Sequence, residues 1–167
     1  PAIQNAISEQ LKLWRTKEKI NDIDVLIATP PCQGMSVANH KKSKDEIKRN
    51  SLVTESIRQV KQIRPRVFVF ENVAAFLKTV CTDIDGAERP IGEAIERNLA
   101  DKYSIFAKII NFKDFGVPSS RTRTLVVGVR KDLSDQISPL ELFPQRSPER
   151  TLREVIGHLP ALNEWGA

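Results

Sequence analysis

Cysteine and histidine are scarce in this sequence of 167 residues. There are two cysteines, Cys32 and Cys81, and two histidines, His40 and His158, which stand far apart. Their number and spacing fit neither a disulfide framework nor a set of zinc ligands. We therefore expect reduced thiols and no metal site.

Long hydrophobic runs are also missing. No apolar run approaches the ~20 residues that a membrane-spanning helix requires. The first residues are amphipathic and mixed in charge, unlike a signal peptide. The sequence therefore predicts a cytoplasmic protein with no membrane partner. Its 40% hydrophobic composition is ordinary for one globular domain with a core.

The charge balance is basic, with a formal net charge of +5. A basic excess favours a polyanionic partner such as nucleic acid, because lysine and arginine neutralise phosphates. Several of these cations fall in residues 39–50, a polar stretch with few apolar anchors. We interpret this stretch as a mobile basic loop that contacts phosphate. A solvated charge run with no special function is the alternative.

Helical and strand patterns alternate along the chain. Apolar residues recur at helical spacing in residues 3–20, 52–63 and 91–99. Residues 25–29 and 67–70 are short, mostly apolar runs, as is typical of parallel strands buried on both faces. This order of elements predicts an α/β fold.

Two further strands are predicted at residues 104–111 and 124–129. The connection between them is too short for the crossover that parallel neighbours need, so we expect an antiparallel pair at an edge of the sheet. Earlier in the chain, the sequence predicts a helix over residues 74–80 and then a polar loop over residues 81–90. We interpret Cys81 as a packing residue.

The chain changes character after residue 130. Residues 131–167 are rich in proline. Thr151, with Glu154 three residues later, forms the capping-box pattern of a short final helix. We therefore interpret residues 1–130 as part of a main domain and residues 131–167 as a connection with a short helix.

Chemically useful residues lie at three strand ends. In residues 29–36, TPPCQGMS, two prolines stiffen the approach to Cys32, which suits a nucleophile, although a structural thiol is the alternative. Glu71 follows the second strand, where a helix-capping acid is the alternative. Arg121 and Arg123 precede the last strand. In an open α/β sheet such ends meet in one crevice, so these distant residues become plausible neighbours.

Together these motifs resemble those of the cytosine-5 DNA methyltransferases. Residues 29–36 resemble the family's proline-cysteine motif, residues 71–73 match its glutamate-asparagine-valine motif, and residues 116–123 resemble its paired-arginine motif. All three occur in the family's order. The resemblance implies the Rossmann-like fold of methyltransferases that depend on S-adenosylmethionine, in an incomplete form. The sheet would be mostly parallel, with an antiparallel edge pair.

The resemblance implies a role for each residue of the motifs. Cys32 would add to carbon 6 of a cytosine and so make carbon 5 nucleophilic. Glu71 would protonate ring nitrogen 3, and Arg123 would hold the carbonyl oxygen of the base. Asn72 would orient neighbouring loops, and Arg121 would support Cys32 or a phosphate.

The implied substrate is double-stranded DNA, with the target base flipped into the pocket. The implied methyl donor is S-adenosylmethionine, and Pro31 and Leu52 would lie near it by resemblance. The expected DNA contacts are Gln33, Ser36, Lys41, Lys42 and Arg49. Such a protein would be a modification enzyme of the bacterial type, belonging to a restriction-modification system.

Two departures qualify the resemblance. Ser119 and Ser120 stand where the family usually has glutamine before the arginines, which implies a change in local support. The family's amino-terminal glycine-rich cofactor motif and its target-recognition region have no counterpart in these 167 residues, although residues 151–160 resemble the stretch that leads to the latter. We therefore expect a chain that is inactive alone or needs a complementary methyltransferase chain.

Two other functions stay open. Some relatives of the family act on transfer RNA, so a structured RNA is an alternative substrate. A catalytically idle nucleic-acid-binding subunit could keep the motifs as a scaffold. Amine-directed methyl transfer is disfavoured because it needs no cysteine. A redox cysteine is disfavoured because no resolving partner lies nearby in sequence.

Overall fold

The computed structural model describes residues 2–31 and 44–160, with side chains for residues 4–31 and 52–160. These ranges contain four α-helices and six strands. In chain order the elements are α1 (Ala2–Leu13), β1 (Val25–Ala28), α2 (Lys44–Ile63), β2 (Val67–Asn72), β3 (Val80–Thr82), β4 (Glu88–Pro90), α3 (Ile91–Leu99), β5 (Tyr103–Asn111), β6 (Thr122–Arg130) and α4 (Leu152–Ile156).

Four of these strands form one mixed sheet in the order β1-β2-β6-β5. β1 and β2 pair in parallel, and β6 runs antiparallel to both of its neighbours. Three strands therefore point the same way and one points back. This confirms the predicted α/β fold and the antiparallel edge pair of β5 and β6. The position of β6 beside β2 was not predicted, because sequence patterns do not reveal which strands become neighbours.

One face of the sheet packs against α2 and α3. Phe68 and Phe70 of β2 are fully buried there with Ile57 of α2 and Ile95 of α3. Side chains two residues apart on a strand point to the same face, so Asn72 points to the same side as Phe70. The buried apolar side chains of α2 and α3 therefore support the end of β2 on the face to which Asn72 points.

Cys81 belongs to this same core and has no exposed surface. Burial raises the pKa of its thiol, which keeps the sulfur in its neutral form. The residue is a free cysteine. The structure agrees with the interpretation of Cys81 as a packing residue.

Four predicted elements were wrong in part. Residues 44–50, assigned to a basic loop, are helical and begin α2. Acidic residues at positions 45 and 46 suit a helix start, but the lack of apolar anchors concealed it. The first helix ends at Leu13, and a single π-helical turn, Trp14–Glu18, follows it.

The other two errors lie between β2 and α3. The predicted helix over residues 74–80 is only a short 3-10 turn, Phe76–Lys78, and the predicted polar loop is a hairpin of β3 and β4. Arg89 closes that hairpin by pairing with the buried Asp83, with Asp85 at 2.9 Å and with Glu93 at 3.6 Å. Strands of three residues are too short to show a hydrophobic period, so the sequence pattern does not reveal this hairpin.

The end of the sheet opposite the predicted motifs is tied together by Arg130. Its guanidinium donates hydrogen bonds to Asp22, to Asp132 and to the carbonyl oxygen of Arg64, at 2.7–3.3 Å. These bonds lower the pKa of both carboxyl groups. The segment before β1 is thereby fixed to the end of β6.

Residues 131–160 run beside the sheet as short turns and one helix. Phe143 packs edge-on against Phe106 of β5, with ring centroids 5.3 Å apart. The capping box of α4 is present as predicted: Glu154 N–H donates to Thr151 Oγ1 at 3.2 Å, and Thr151 N–H donates to the Glu154 carboxylate at 2.5 Å.

Candidate active site

The described parts of the predicted motifs meet at one edge of the sheet. β1 and β2 are parallel, so their carboxyl ends lie side by side, and the antiparallel β6 begins at the same edge. Asn72 stands opposite Thr124 in the register, and Glu71 stands opposite Leu125. Because side chains alternate along a strand, Asn72 and Thr124 share one face, and Glu71 and Arg123 share the other.

Glu71 and Arg123 form an ion pair. Arg123 Nε lies 2.9 Å from Glu71 Oε1, and the side chains are 18% and 30% exposed for Arg123 and Glu71 respectively. Arg123 Nη1 also donates to the carbonyl oxygen of Thr122 at 2.7 Å. The pair is held by the protein yet remains accessible to a ligand.

Asn72 connects two strand ends. It is 4% exposed, and its Nδ2 donates to the carbonyl oxygen of Pro30 at 2.7 Å. Its Oδ1 accepts a hydrogen bond from Val73 N–H at 2.9 Å. Both ends of the amide are therefore occupied, and the chain two residues before Cys32 is fixed to the end of β2. This contact fits the predicted role of Asn72 in orienting loops.

Thr124 is a residue of this edge that sequence reasoning missed. It is fully buried, and its hydroxyl lies 3.1 Å from the carbonyl oxygen of Val73 and 3.3 Å from that of Ala74. A threonine near the start of a strand is an ordinary β-former, so the sequence carries no signal for this contact.

Arg121 is not brought into the ion pair. Its side chain is exposed and forms no ion pair with the part of the chain that the structure describes. Its backbone is held instead: the N–H donates to Ser119 Oγ at 3.3 Å, and the carbonyl oxygen accepts from Phe112 N–H at 3.0 Å. Ser119, which stands in the place of the family's glutamine, thus supports the loop before β6.

A cavity of about 470 Å³ lies between β1, α1 and α2. Pro31 and Leu52, the two residues expected near a methyl donor, both line it. Its wall is largely apolar, with Ile7, Leu26 and Ala28 contributing. Such a volume and lining are ordinary for a small-molecule site.

A larger cavity, of about 530 Å³, lies at the opposite end of the sheet. Asp22, Arg130 and Asp132 line it, and these three side chains are already paired with one another. We therefore regard the apolar cavity beside Pro31 as the better candidate for a ligand site.

The remaining predicted site residues cannot be placed. Cys32, Gln33, Ser36, Lys41 and Lys42 lie outside the described residues, and Arg49 is described only as a backbone position in α2. Within the described ranges, no group of three or more histidine, cysteine or acidic side chains could hold a metal ion. No helix in these ranges is long and apolar enough to cross a bilayer.

The chain was compared with known protein families. The family described as C-5 cytosine-specific DNA methylase matches residues 4–165. The chain belongs to this family. The predicted family resemblance is thereby confirmed.

Individual relatives point the same way. The chain is 38% identical over 143 residues to the type II methyltransferase M1.HphI of Haemophilus parahaemolyticus, covering 84% of this chain and 36% of that protein. It is 34% identical over 148 residues to M.DdeI of Desulfomicrobium norvegicum, covering 87% and 34%. It is 31% identical over 172 residues to M.AquIA of Picosynechococcus sp., covering 93% and 68%. The chain thus spans about a third of the length of the first two.

Solved structures show the same fold. A candidate DNA modification methyltransferase encoded within an E. coli prophage superposes with a TM-score of 0.64 at 25% identity, covering 90% of this chain and 39% of that one. A DNMT2 variant of Spodoptera frugiperda gives a TM-score of 0.52 at 18% identity, covering 84% and 38%. The second likeness concerns the fold alone.

Proposed function

We propose that this chain supplies the catalytic part of an enzyme that transfers a methyl group from S-adenosylmethionine to carbon 5 of cytosine in DNA. The observation that carries the proposal is the contact between Asn72 and Pro30. It fixes the segment that leads to Cys32 to the end of β2, the strand that also carries Glu71 of the ion pair with Arg123. This supports the proposal that a nucleophile, an acid and an oxygen-binding cation act at one edge of the sheet.

The proposed reaction uses these groups in sequence. The Cys32 thiolate adds to carbon 6 of a cytosine flipped out of the duplex, and a C–S bond forms. Glu71 gives a proton to ring nitrogen 3, which neutralises the charge that the addition creates, and Arg123 binds the carbonyl oxygen beside it. Carbon 5 would then take the methyl group as the methyl–sulfur bond of the sulfonium breaks, and the donor would leave as a neutral thioether. A base, such as water, would remove the carbon 5 proton, the C–S bond would break to release the thiolate, and ring nitrogen 3 would return its proton to Glu71.

The apolar cavity beside β1 supports a site for the methyl donor. Its volume of about 470 Å³ fits a molecule of that size, and its apolar wall suits an adenine ring. We propose that Pro31 and Leu52 contact the donor there. S-adenosylmethionine supplies an electrophilic methyl group on a sulfonium, and the chain's own residues bring the cytosine to it.

DNA binding is assigned to the residues around the same edge. We propose that Gln33, Ser36, Lys41, Lys42 and Arg49 contact the DNA, and that the exposed Arg121 binds a phosphate. Arginine and lysine contacts to phosphate fix register and orientation on a duplex rather than its sequence. Residues 1–130 would then be the catalytic portion, and residues 131–167 would lead towards a target-recognition region.

We further propose that this chain acts with complementary methyltransferase segments, whether on the same polypeptide or on a second one. Its coverage of M1.HphI and M.DdeI is 36% and 34%. Among the described strands β1 is the last at one side of the sheet, and its Val25 and Ile27 are 51% and 68% exposed. Parallel strands are normally buried on both faces, so this strand suits further segments that cover it. We call the chain together with those segments the completed enzyme.

A methyl-transfer assay tests this function. The chain alone and the completed enzyme are each incubated with duplex DNA and a labelled methyl donor, with Cys32→Ser as the control. We expect transfer only by the completed enzyme and none by its Cys32→Ser variant. Robust transfer by the chain alone would contradict the need for further segments. Transfer to RNA and not to DNA, or none at all by the completed enzyme, would contradict the proposed substrate or activity.

A further inference from the structure

Thr124 lies at the centre of the candidate site without belonging to any of its motifs. It is fully buried, and it stands opposite Asn72 in the register of β2 and β6. Its hydroxyl has two acceptors within reach, the carbonyl oxygens of Val73 at 3.1 Å and of Ala74 at 3.3 Å. One hydroxyl has one hydrogen to donate, so the two carbonyls share it.

These contacts belong to a chain of hydrogen bonds that crosses three strands. Thr124 of β6 donates to the carbonyl oxygen of Val73, and Val73 N–H donates to Asn72 Oδ1 at 2.9 Å. Asn72 Nδ2 then donates to the carbonyl oxygen of Pro30, after β1, at 2.7 Å. The backbone of Val73 is therefore held at both its N–H and its carbonyl oxygen. Its carbonyl oxygen also accepts from Phe76 N–H at 3.0 Å, which anchors the following turn.

The neighbour of Thr124 on the strand is Arg123, which points to the other face and pairs with Glu71 at 2.9 Å. Two consecutive residues of β6 thus hold both halves of the site. Arg123 fixes the acid, and Thr124 fixes the turn that follows Asn72. A small shift of the end of β2 would change the distance between the Pro30 carbonyl and the ion pair.

We propose that Thr124 is a positioning residue that sets the Asn72–Pro30 contact relative to the Glu71–Arg123 pair. The inference rests on the proposed function, because it assigns Thr124 a part in the same reaction. Misplacement of reacting groups by about 1 Å can cost ~100-fold in rate. The hydroxyl is therefore required for turnover and not only for folding.

The test compares three substitutions in the completed enzyme. Thr124→Val keeps the shape and removes the hydroxyl, and Thr124→Ser keeps the hydroxyl. Thr54→Val is the matched control, since Thr54 is 2% exposed and its hydroxyl donates to the carbonyl oxygen of Thr82 at 2.6 Å, away from the site. kcat and the KM for DNA and for the methyl donor are measured well below the melting temperature of each protein.

We expect kcat to fall ~10- to 100-fold in Thr124→Val with KM values nearly unchanged. Thr124→Ser should recover most of the rate. Thr54→Val should lower the melting temperature as much as Thr124→Val does and leave kcat unchanged. If Thr124→Val does not fold, the pair Thr124→Ala and Thr124→Ser makes the same comparison, because the two differ in the hydroxyl alone.

A second readout does not depend on catalysis. Hydrogen exchange at the Val73 amide should be faster in Thr124→Val than in Thr54→Val, because the Val73 backbone loses the hydrogen bond from Thr124 to its carbonyl oxygen. An unchanged exchange rate at Val73, or a wild-type kcat in Thr124→Val, overturns the proposal. If the wild-type completed enzyme transfers no methyl group, the proposed function fails, while the exchange measurement still tests the hydrogen-bond chain.

Discussion

Two arginines occupy opposite ends of the same strand, and they differ in how their donors are used. Arg130 and Arg123 are 14% and 18% exposed, so burial does not distinguish them. The described residues accept five hydrogen bonds from the Arg130 guanidinium. For Arg123 they supply two acceptor groups, the carboxylate of Glu71 and the carbonyl oxygen of the neighbouring Thr122.

A guanidinium has five N–H donors. At Arg130 the protein itself occupies all of them, and two carboxylates raise the pKa of the group further. No N–H donor of Arg130 remains for a ligand, so this residue stabilises the fold. At Arg123 some N–H donors have no acceptor among the described residues, and the partly exposed Glu71 lies beside it. The number of donors that the fold leaves unused, more than burial, separates a binding arginine from a structural one.

The largest expected effect is at the Arg123 end. Glu71→Gln keeps the size of the side chain and removes the proton donor, so we expect methyl transfer by the completed enzyme to fall ~100- to 10,000-fold. The free energy of unfolding should change by less than about 1 kcal/mol, because partly exposed ion pairs contribute little. Steady-state kinetics and urea unfolding measure the two quantities.

Asp22→Asn is the control for that substitution, since Asp22 is an acid paired with the other arginine. It should leave the rate at 25 °C unchanged. Equal losses of rate in Glu71→Gln and Asp22→Asn would remove the distinction between the two ends of β6.

At the other end the expected effect is on stability. Arg130→Met removes all five hydrogen bonds and keeps much of the apolar stem, so unfolding should become easier by about 1–3 kcal/mol. The matched variant Arg123→Met should lose methyl transfer with a smaller change in stability. Urea unfolding at pH 7 compares them. A larger stability loss in Arg123→Met would contradict the assignment of roles.

The smallest expected effect appears on acidification. Hydrogen bonds from Arg130 lower the pKa of Asp22 and of Asp132 from the usual 3.8. The folded-state pKa is below the unfolded value, so this stabilisation is complete above about pH 4 and is lost as the pH falls through the lowered pKa values. Melting temperatures measured from pH 5 to pH 2.5 should therefore fall more steeply in the wild type than in Arg130→Met. Parallel curves would show that this network does not contribute.

The sequence predicted those parts of the site that depend on local pattern. Glu71 and Asn72 end a continuously apolar strand, which marks them as residues at a strand's carboxyl end. Arg123 begins β6, and it reaches the same edge because β6 runs antiparallel to β2. Thr124 could not be predicted, because its role depends on which strand lies beside β2. Roles for Cys32, Gln33 and the basic residues after them stay predictions.

The errors in the predicted secondary structure also arise where structure depends on tertiary contacts and not on a local pattern. Residues 44–50 and the β3–β4 hairpin lack a clear apolar period, and both were assigned to loops. The hairpin is stabilised by Arg89 and its three acids, and contacts of that kind depend on tertiary structure. Long periodic elements such as α3, by contrast, were predicted with the observed bounds, 91–99.

The central claim is that the edge holding Glu71, Asn72 and Arg123 works with a cysteine nucleophile. The most direct measurement is the intact mass of the completed enzyme after incubation with the methyl donor and a duplex that carries a mechanism-based cytosine analogue. We expect a covalent protein–DNA adduct in the wild type, none in Cys32→Ser, and a much slower adduct in Glu71→Gln. No adduct in the wild type, or an adduct that persists in Cys32→Ser, would contradict the account.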